Sequence, residues 1–235
     1  MIRKIFEKHE TAADITLIVL YVGVNSVCLQ SYETTDIHSA LVNTAFSAFL
    51  LSLVCHLKRT EYYGLKSVRG AKKYLYFSPL VLIASVNLWG GVRVVNTAEE
   101  ILFHFVTMLN VGLIEELIFR GFLYRMMEKN DPKAAAVVSA VTFGMGHIVN
   151  LMNGAELTGT IFQLCYATAI GWLFVVLFRK SGSLLPCIVT HGVLNALSVF
   201  YVESELLNYL ASAFLIIVSL SYAVYIDKKV KKEFT

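Results

Sequence analysis

The chain reads as an all-α, polytopic membrane bundle of about eight transmembrane helices with both termini cytoplasmic. Three observations carry this reading. Hydrophobic residues make up 57% of the 235 residues and charged residues only 16%, well under the usual charged share of soluble domains. Eight apolar runs are long enough to cross a bilayer, which needs about 20 residues each. The basic residues gather on alternate sides of those runs, as cytoplasmic loops do.

The spans follow in order at 14–30, 40–57, 74–92, 101–124, 133–150, 157–179, 183–200 and 206–226. Arg3, Lys4 and Lys8 precede the first, and no small-residue cleavage site follows it, so it reads as a retained span. The second runs into a basic loop with Lys58, Arg59, Lys66, Arg69, Lys72 and Lys73. The third ends at Arg93. The fourth, ILFHFVTMLNVGLIEELIFRGFLY, exits at Arg125 and Lys129, and the fifth starts near Lys133. The sixth ends at Arg179 and Lys180, the seventh starts near Ser183, and the eighth runs into Lys228, Lys229, Lys231 and Lys232. The loops 31–39, 151–156 and 201–205 hold no lysine or arginine. Eighteen of the twenty basic residues thus fall on one side, leaving Arg93 opposite and Arg120 inside a span. Short loops and the lack of an internal repeat make residues 1–235 a single domain, with its polar core at about 101–200.

Composition also excludes. A net charge of +3 does not suit a nucleic-acid partner. Cys28, Cys55, Cys165 and Cys187 lie in apolar runs without a CxxC, so neither a zinc knuckle nor a disulfide framework is expected. No G-x-S-x-G elbow is present. Asp14, Asp36, Asp131 and Asp227 sit at span ends or in loops, which leaves an intramembrane aspartyl dyad without candidates.

The fourth, fifth and seventh spans hold the chemistry. Glu115, Glu116 and Arg120 fall within six residues of one span. A charge at the bilayer centre costs roughly 2.5–3.5 kcal/mol on insertion scales, so such groups need partners and point to function. Glu116 and Arg120 are spaced i, i+4 and should pair, while Glu115 points about 100° away. At 1.5 Å per residue, Glu115 lies about 15 Å from its cytoplasmic exit, His147 about 21 Å, and His191 and Asn195 about 12 and 18 Å. These groups share a slab near mid-membrane and satisfy one another only by facing a common cavity. His147 shares a helix face with Phe143, and His191 with Asn195. Phe143 reads as packing, and Gly144 and Gly146 as places of close approach. His104 and His56 read as interfacial, and the tyrosines as ordinary membrane-protein residues.

The motifs E-E-x-x-x-R (Glu115 to Arg120), F-x-x-x-H (Phe143 to His147) and H-x-x-x-N (His191 to Asn195) stand in this order in separate spans. Together they resemble the CPBP family of intramembrane endopeptidases, which includes CAAX prenyl endopeptidases and the bacterial Abi proteins of bacteriocin maturation and self-immunity. The resemblance implies a helix bundle with a catalytic chamber open toward the cytoplasm and the lipid. It implies that Glu115 activates water, His147 holds it, His191 and Asn195 stabilise the oxyanion, and Glu116 and Arg120 support the site. On cofactors it leaves two readings. One is a metal-free, glutamate-dependent protease; the other is a zinc enzyme with Glu115, His147 and His191 as ligands.

The chemistry is sound in either form. A carboxylate in a low-dielectric cavity can serve as general base. Two histidines and a glutamate match a catalytic zinc set with an open position, although H-E-x-x-H is absent. The expected partners are a membrane-bound peptide or protein substrate, cut near the cytoplasmic side, and the lipid bilayer, with a bacterial cell membrane as the location. Two other classes compete. One is a non-catalytic immunity or scaffold protein with an unused pocket. The other is a transporter, which the lack of an inverted repeat disfavours.

Overall fold

A computed structural model describes residues 6, 8–68 and 77–229. All the regular structure among them is helical. The helices are α1 (Glu10–Ser31), α2 (Ile37–His56), α3 (Ser78–Ala84), α4 (Ala98–Glu116), α5 (Arg125–Glu128), α6 (Pro132–Gly146), α7 (Val149–Met152), α8 (Leu157–Ser181), α9 (Leu185–Ala196) and α10 (Glu205–Lys229). A π-helical stretch, Leu117–Tyr124, joins α4 to α5 without a break. Short 3-10 turns, Val86–Leu88 and Leu197–Phe200, extend α3 and α9.

Six helices are long and apolar enough to cross a membrane: Glu10–Ser31, Ile37–His56, Ala98–Glu128, Pro132–Met152, Leu157–Ser181 and Glu205–Lys229. The chain is an all-α, multi-pass membrane protein. The seventh expected span is the shorter Leu185–Phe200. The third departs most from its expected limits. Expected over 74–92, it is helical among the described residues over Ser78–Ala84 and Val86–Leu88, and residues 74–76 lie outside the described residues. Gly91, at φ +102°, then turns the chain away. The expected basic positions Arg3, Lys4, Arg69, Lys72, Lys73, Lys231 and Lys232 lie outside the described residues.

Local chemistry sets the helix starts. Thr97 and Glu100 form a reciprocal capping box at α4, with Glu99 and Glu100 in the first turn. Asp131 caps α6 by accepting from the backbone of Lys133 and Ala134, with Pro132 as first residue. Asp36 caps α2 by accepting from the His38 backbone N–H at 2.7 Å, which holds its carboxyl below the usual range. At the other end of the bundle, Gly182 closes α8 in the left-handed conformation, and only glycine enters that region without a Cβ clash.

Packing then fixes the bundle. At the end bearing the basic residues, the 57–65 connection folds into the helices. Leu57 and Tyr63 are fully buried, and the Tyr63 ring sits 4.5 Å from that of Phe122. Leu184 donates its backbone N–H to Gly64 at 2.9 Å. Gly64 needs φ +81°, and a Cβ there would lie 2.4 Å from the Phe178 ring. With the wholly buried π stretch, this closes that end with a continuous apolar core. Asp14, in the second turn of α1, is 1% exposed, and among the described residues neither of its carboxylate oxygens has a hydrogen-bond partner.

Candidate active site

Two close helix crossings bring the site together. Gly112 of α4 meets Gly192 of α9 so tightly that a Cβ on Gly112 would stand 2.6 Å from the Gly192 nitrogen. Glu116 lies one turn beyond Gly112, and His191 is the neighbour of Gly192, so this contact sets them face to face. Gly144 of α6 meets α8 just as closely: its Cβ would stand 2.0 Å from Thr168 Oγ1. Gly171 of α8 leaves room for the Arg120 guanidinium, 2.8 Å from where its own Cβ would be.

Glu116 and Arg120 have no exposed side-chain surface, and their i, i+4 contact is 3.1 Å. The same carboxylate oxygen, Glu116 Oε1, lies 2.9 Å from His191 Nδ1. A carboxylate only accepts, so Nδ1 carries the hydrogen and His191 Nε2 is left as an acceptor. Arg120 also lies against aromatic faces: its Cζ is 4.1 Å from the Phe143 ring centre and 5.7 Å from that of Phe174. Desolvated contacts of this kind contribute on the order of 2 kcal/mol. Phe143 thus does more than pack. Its ring lies over Arg120 and meets both His147 and His191 edge-on, with centroids 5.6 and 5.5 Å away.

Glu115 faces the other way, as its rotation from Glu116 requires. Its Oε2 is 3.6 Å from His191 Nε2, and its Oε1 accepts a 2.8 Å hydrogen bond from the hydroxyl of Tyr21 on α1. Sequence reasoning missed Tyr21. The available signal was depth: this tyrosine lies mid-span, away from the interfaces that tyrosines favour. His104 was also misread. It is 4% exposed, 3.0 Å from the Thr34 hydroxyl and 3.3 Å from the Asn195 carbonyl, so it ties the α1–α2 connection to α9 instead of sitting at an interface.

Glu115, Phe143, His147, His191 and Asn195 line one cavity of about 340 Å³. Glu116 and Arg120 are not on its wall; they stand behind His191 and orient it. Glu115 and His147 also border a cleft of about 70 Å³ beneath α1. The arrangement offers a carboxylate and an imidazole acceptor converging on a space large enough for a peptide bond and water, backed by a buried ion pair.

The zinc reading was tested on the donor set. Among the described residues no three His, Cys, Asp or Glu side chains are placed to hold a metal ion. His191 is engaged by Glu116 through Nδ1, and its Nε2 is directed at Glu115. As placed, Glu115, His147 and His191 do not form a three-ligand group, although a histidine held at Nδ1 by a carboxylate is common at metal sites.

Residues 96–197 match the family model described as type II CAAX prenyl endopeptidase Rce1-like. The match runs from the cap of α4 to the end of α9 and includes all three motifs. No curated protein matches the chain.

Proposed function

We propose that this chain, whose residues 96–197 are those of the CPBP/CAAX-protease family, hydrolyses a peptide bond in a membrane-associated peptide or protein with Glu115 as the base that activates water. The observation that carries this reading is the convergence of Glu115 Oε2 and His191 Nε2, 3.6 Å apart, on one cavity.

A water held between those two acceptors donates one hydrogen bond to each. Glu115 takes its proton as the oxygen attacks the carbonyl carbon. The carbonyl π electrons move onto oxygen, and the oxyanion faces the Asn195 amide and the His147 ring, both on the cavity wall. As the tetrahedral intermediate collapses, the C–N bond breaks and Glu115 returns its proton to the leaving amine. This reading gives His191 the water-holding role in place of the oxyanion role implied by resemblance, supported by the 3.6 Å approach of its Nε2 to Glu115. Tyr21 fixes the Glu115 carboxylate from the far side, and Glu116 fixes the His191 tautomer, with Arg120 holding Glu116 in turn. The short loops favour a bacterial cell membrane as its location.

The test compares peptide termini in membranes and medium of source cells carrying wild-type protein or Glu115→Gln at matched abundance. Termini that appear only with wild type, at least a hundredfold above the variant, are expected, since loss of a general base removes roughly two to four orders of magnitude. Equal termini in both strains reject the mechanism. An unchanged immunity phenotype in the variant would turn the reading to a binding protein.

A further inference from the structure

We infer that His104 is a positioning residue for the peptidase reaction: its ring caps the end of α9 and holds the Asn195 amide where the oxyanion forms. The inference rests on the peptidase reading for the reaction, and on hydrogen-bond geometry for the residue.

The last carbonyls of a helix have no regular partners within it, so whatever donates to them sets where that end lies. Two side chains from other elements donate at the end of α9. Asn87, in the 3-10 turn after α3, donates its Nδ2–H to the Leu194 carbonyl at 2.7 Å. His104 of α4, 4% exposed, brings its Nε2 within 3.3 Å of the Asn195 carbonyl. A carbonyl only accepts, so Nε2 carries the hydrogen. The neutral ring then accepts at Nδ1, where the Thr34 hydroxyl lies 3.0 Å away and donates. The Ser198 hydroxyl, also 3.3 Å from Nε2, shares the Nε2 hydrogen. One buried imidazole thus joins the connection before α2, α4 itself and the turn that ends α9.

This contact is a second pin between α4 and α9. The first is the Gly112–Gly192 crossing, eight residues further along α4, a distance of about 12 Å on an α-helix. Two pins set the rotation of α9 as well as its distance. That rotation matters because His191 and Asn195 share one face of α9 and both line the cavity. His104 stands off the cavity wall, so it acts through Asn195 and not on substrate. Without the imidazole, the carbonyl end of α9 loses a hold on α4, while the glycine crossing keeps His191 in place. The Asn195 amide is then the group that shifts.

The experiment is a double-mutant cycle on the rate of cleavage. The probe is a quenched-fluorescent peptide spanning the terminus that wild type alone produces, presented with purified protein in phosphatidylcholine liposomes. His104→Leu should lower kcat about ten- to a hundredfold with KM nearly unchanged, because an oxyanion donor held out of place loses most of its effect. In the Asn195→Ala background the same change should alter kcat by less than about twofold, since the two residues act as one unit. His104→Gln keeps a donor and should stay within about threefold of wild type. Where His104→Leu does not fold, His104→Asn, polar but too short to reach the carbonyl, takes its place in the cycle. An equal loss in both backgrounds shows a general structural role and overturns the inference, as does a wild-type kcat in His104→Leu or in Asn195→Ala. If Glu115→Gln stops cleavage while the two losses multiply, the peptidase reading survives and the positioning role falls. If wild type leaves the peptide uncut, both fall.

Discussion

Arg120 shows what one residue holds together. It pairs with Glu116, lies under Phe143 and fills the notch left by Gly171. Removing one partner of a buried pair costs roughly 3–5 kcal/mol, because the other charge stays buried. Arg120→Met should therefore unfold the protein in detergent at markedly lower temperature. The double variant Arg120→Met with Glu116→Gln should recover much of that loss, and a double variant no better than the single would show that the pair is not the unit. Tyr21→Phe keeps the ring but loses the hydrogen bond to Glu115. A hydrogen bond to a charged group is worth about 1.5–3 kcal/mol, so kcat should fall about ten- to a hundredfold with thermal stability nearly unchanged. Cleavage should persist after treatment with a strong zinc chelator, and inhibition reversed by added zinc would restore the metal reading.

The residue scale was also the most legible in the sequence. Glu115, Glu116, Arg120, His147, His191 and Asn195 stand out because polar groups are costly where every neighbour is apolar. Tyr21 and His104 did not stand out. Tyrosine and histidine are common in membrane spans, and the partners of these two come from segments distant in sequence.

At the scale of elements, two glycines two residues apart make opposite predictions. A Cβ at Gly144 would meet Thr168 Oγ1 at 2.0 Å and the Leu164 carbonyl at 2.9 Å, whereas Gly146 has nothing within 4 Å. Gly144→Ala should destabilise the α6–α8 contact by roughly 1–3 kcal/mol and loosen the Phe143 and His147 positions. Gly146→Ala should be close to neutral in thermal unfolding. Spacing alone does not rank the pair, because crowding depends on which face meets α8. The long helices were readable from apolar length alone. The far end of the third was not, since hydropathy continues past Leu88, where the helix stops short of Gly91.

At the scale of the whole molecule, the charge asymmetry predicts topology. A reporter active only outside the cytoplasm should give signal when fused after Glu203 and none when fused after Lys229, with the reverse for a cytoplasmic reporter. Identical signals at both fusion points would undo the assignment of faces. The bundle also divides by function along its axis. Among the described residues the π stretch and the 57–65 connection form an apolar core on one side of the polar cluster, and the cavity lined by Glu115, His147 and His191 lies on the other.

The π stretch lies on that boundary. Its hydrogen bonds reach one residue further than those of an α-helix, so it holds more chain per turn. Apolar substitutions there leave this spacing untouched. Deleting a single residue between 117 and 124 would not: it would take out the extra residue, tighten the stretch toward α-helical spacing and change which of its side chains face the bundle. Beyond the demands of Arg120 and of burial, the segment is thus strict in the number of its residues, a constraint on insertion and deletion that composition does not reveal.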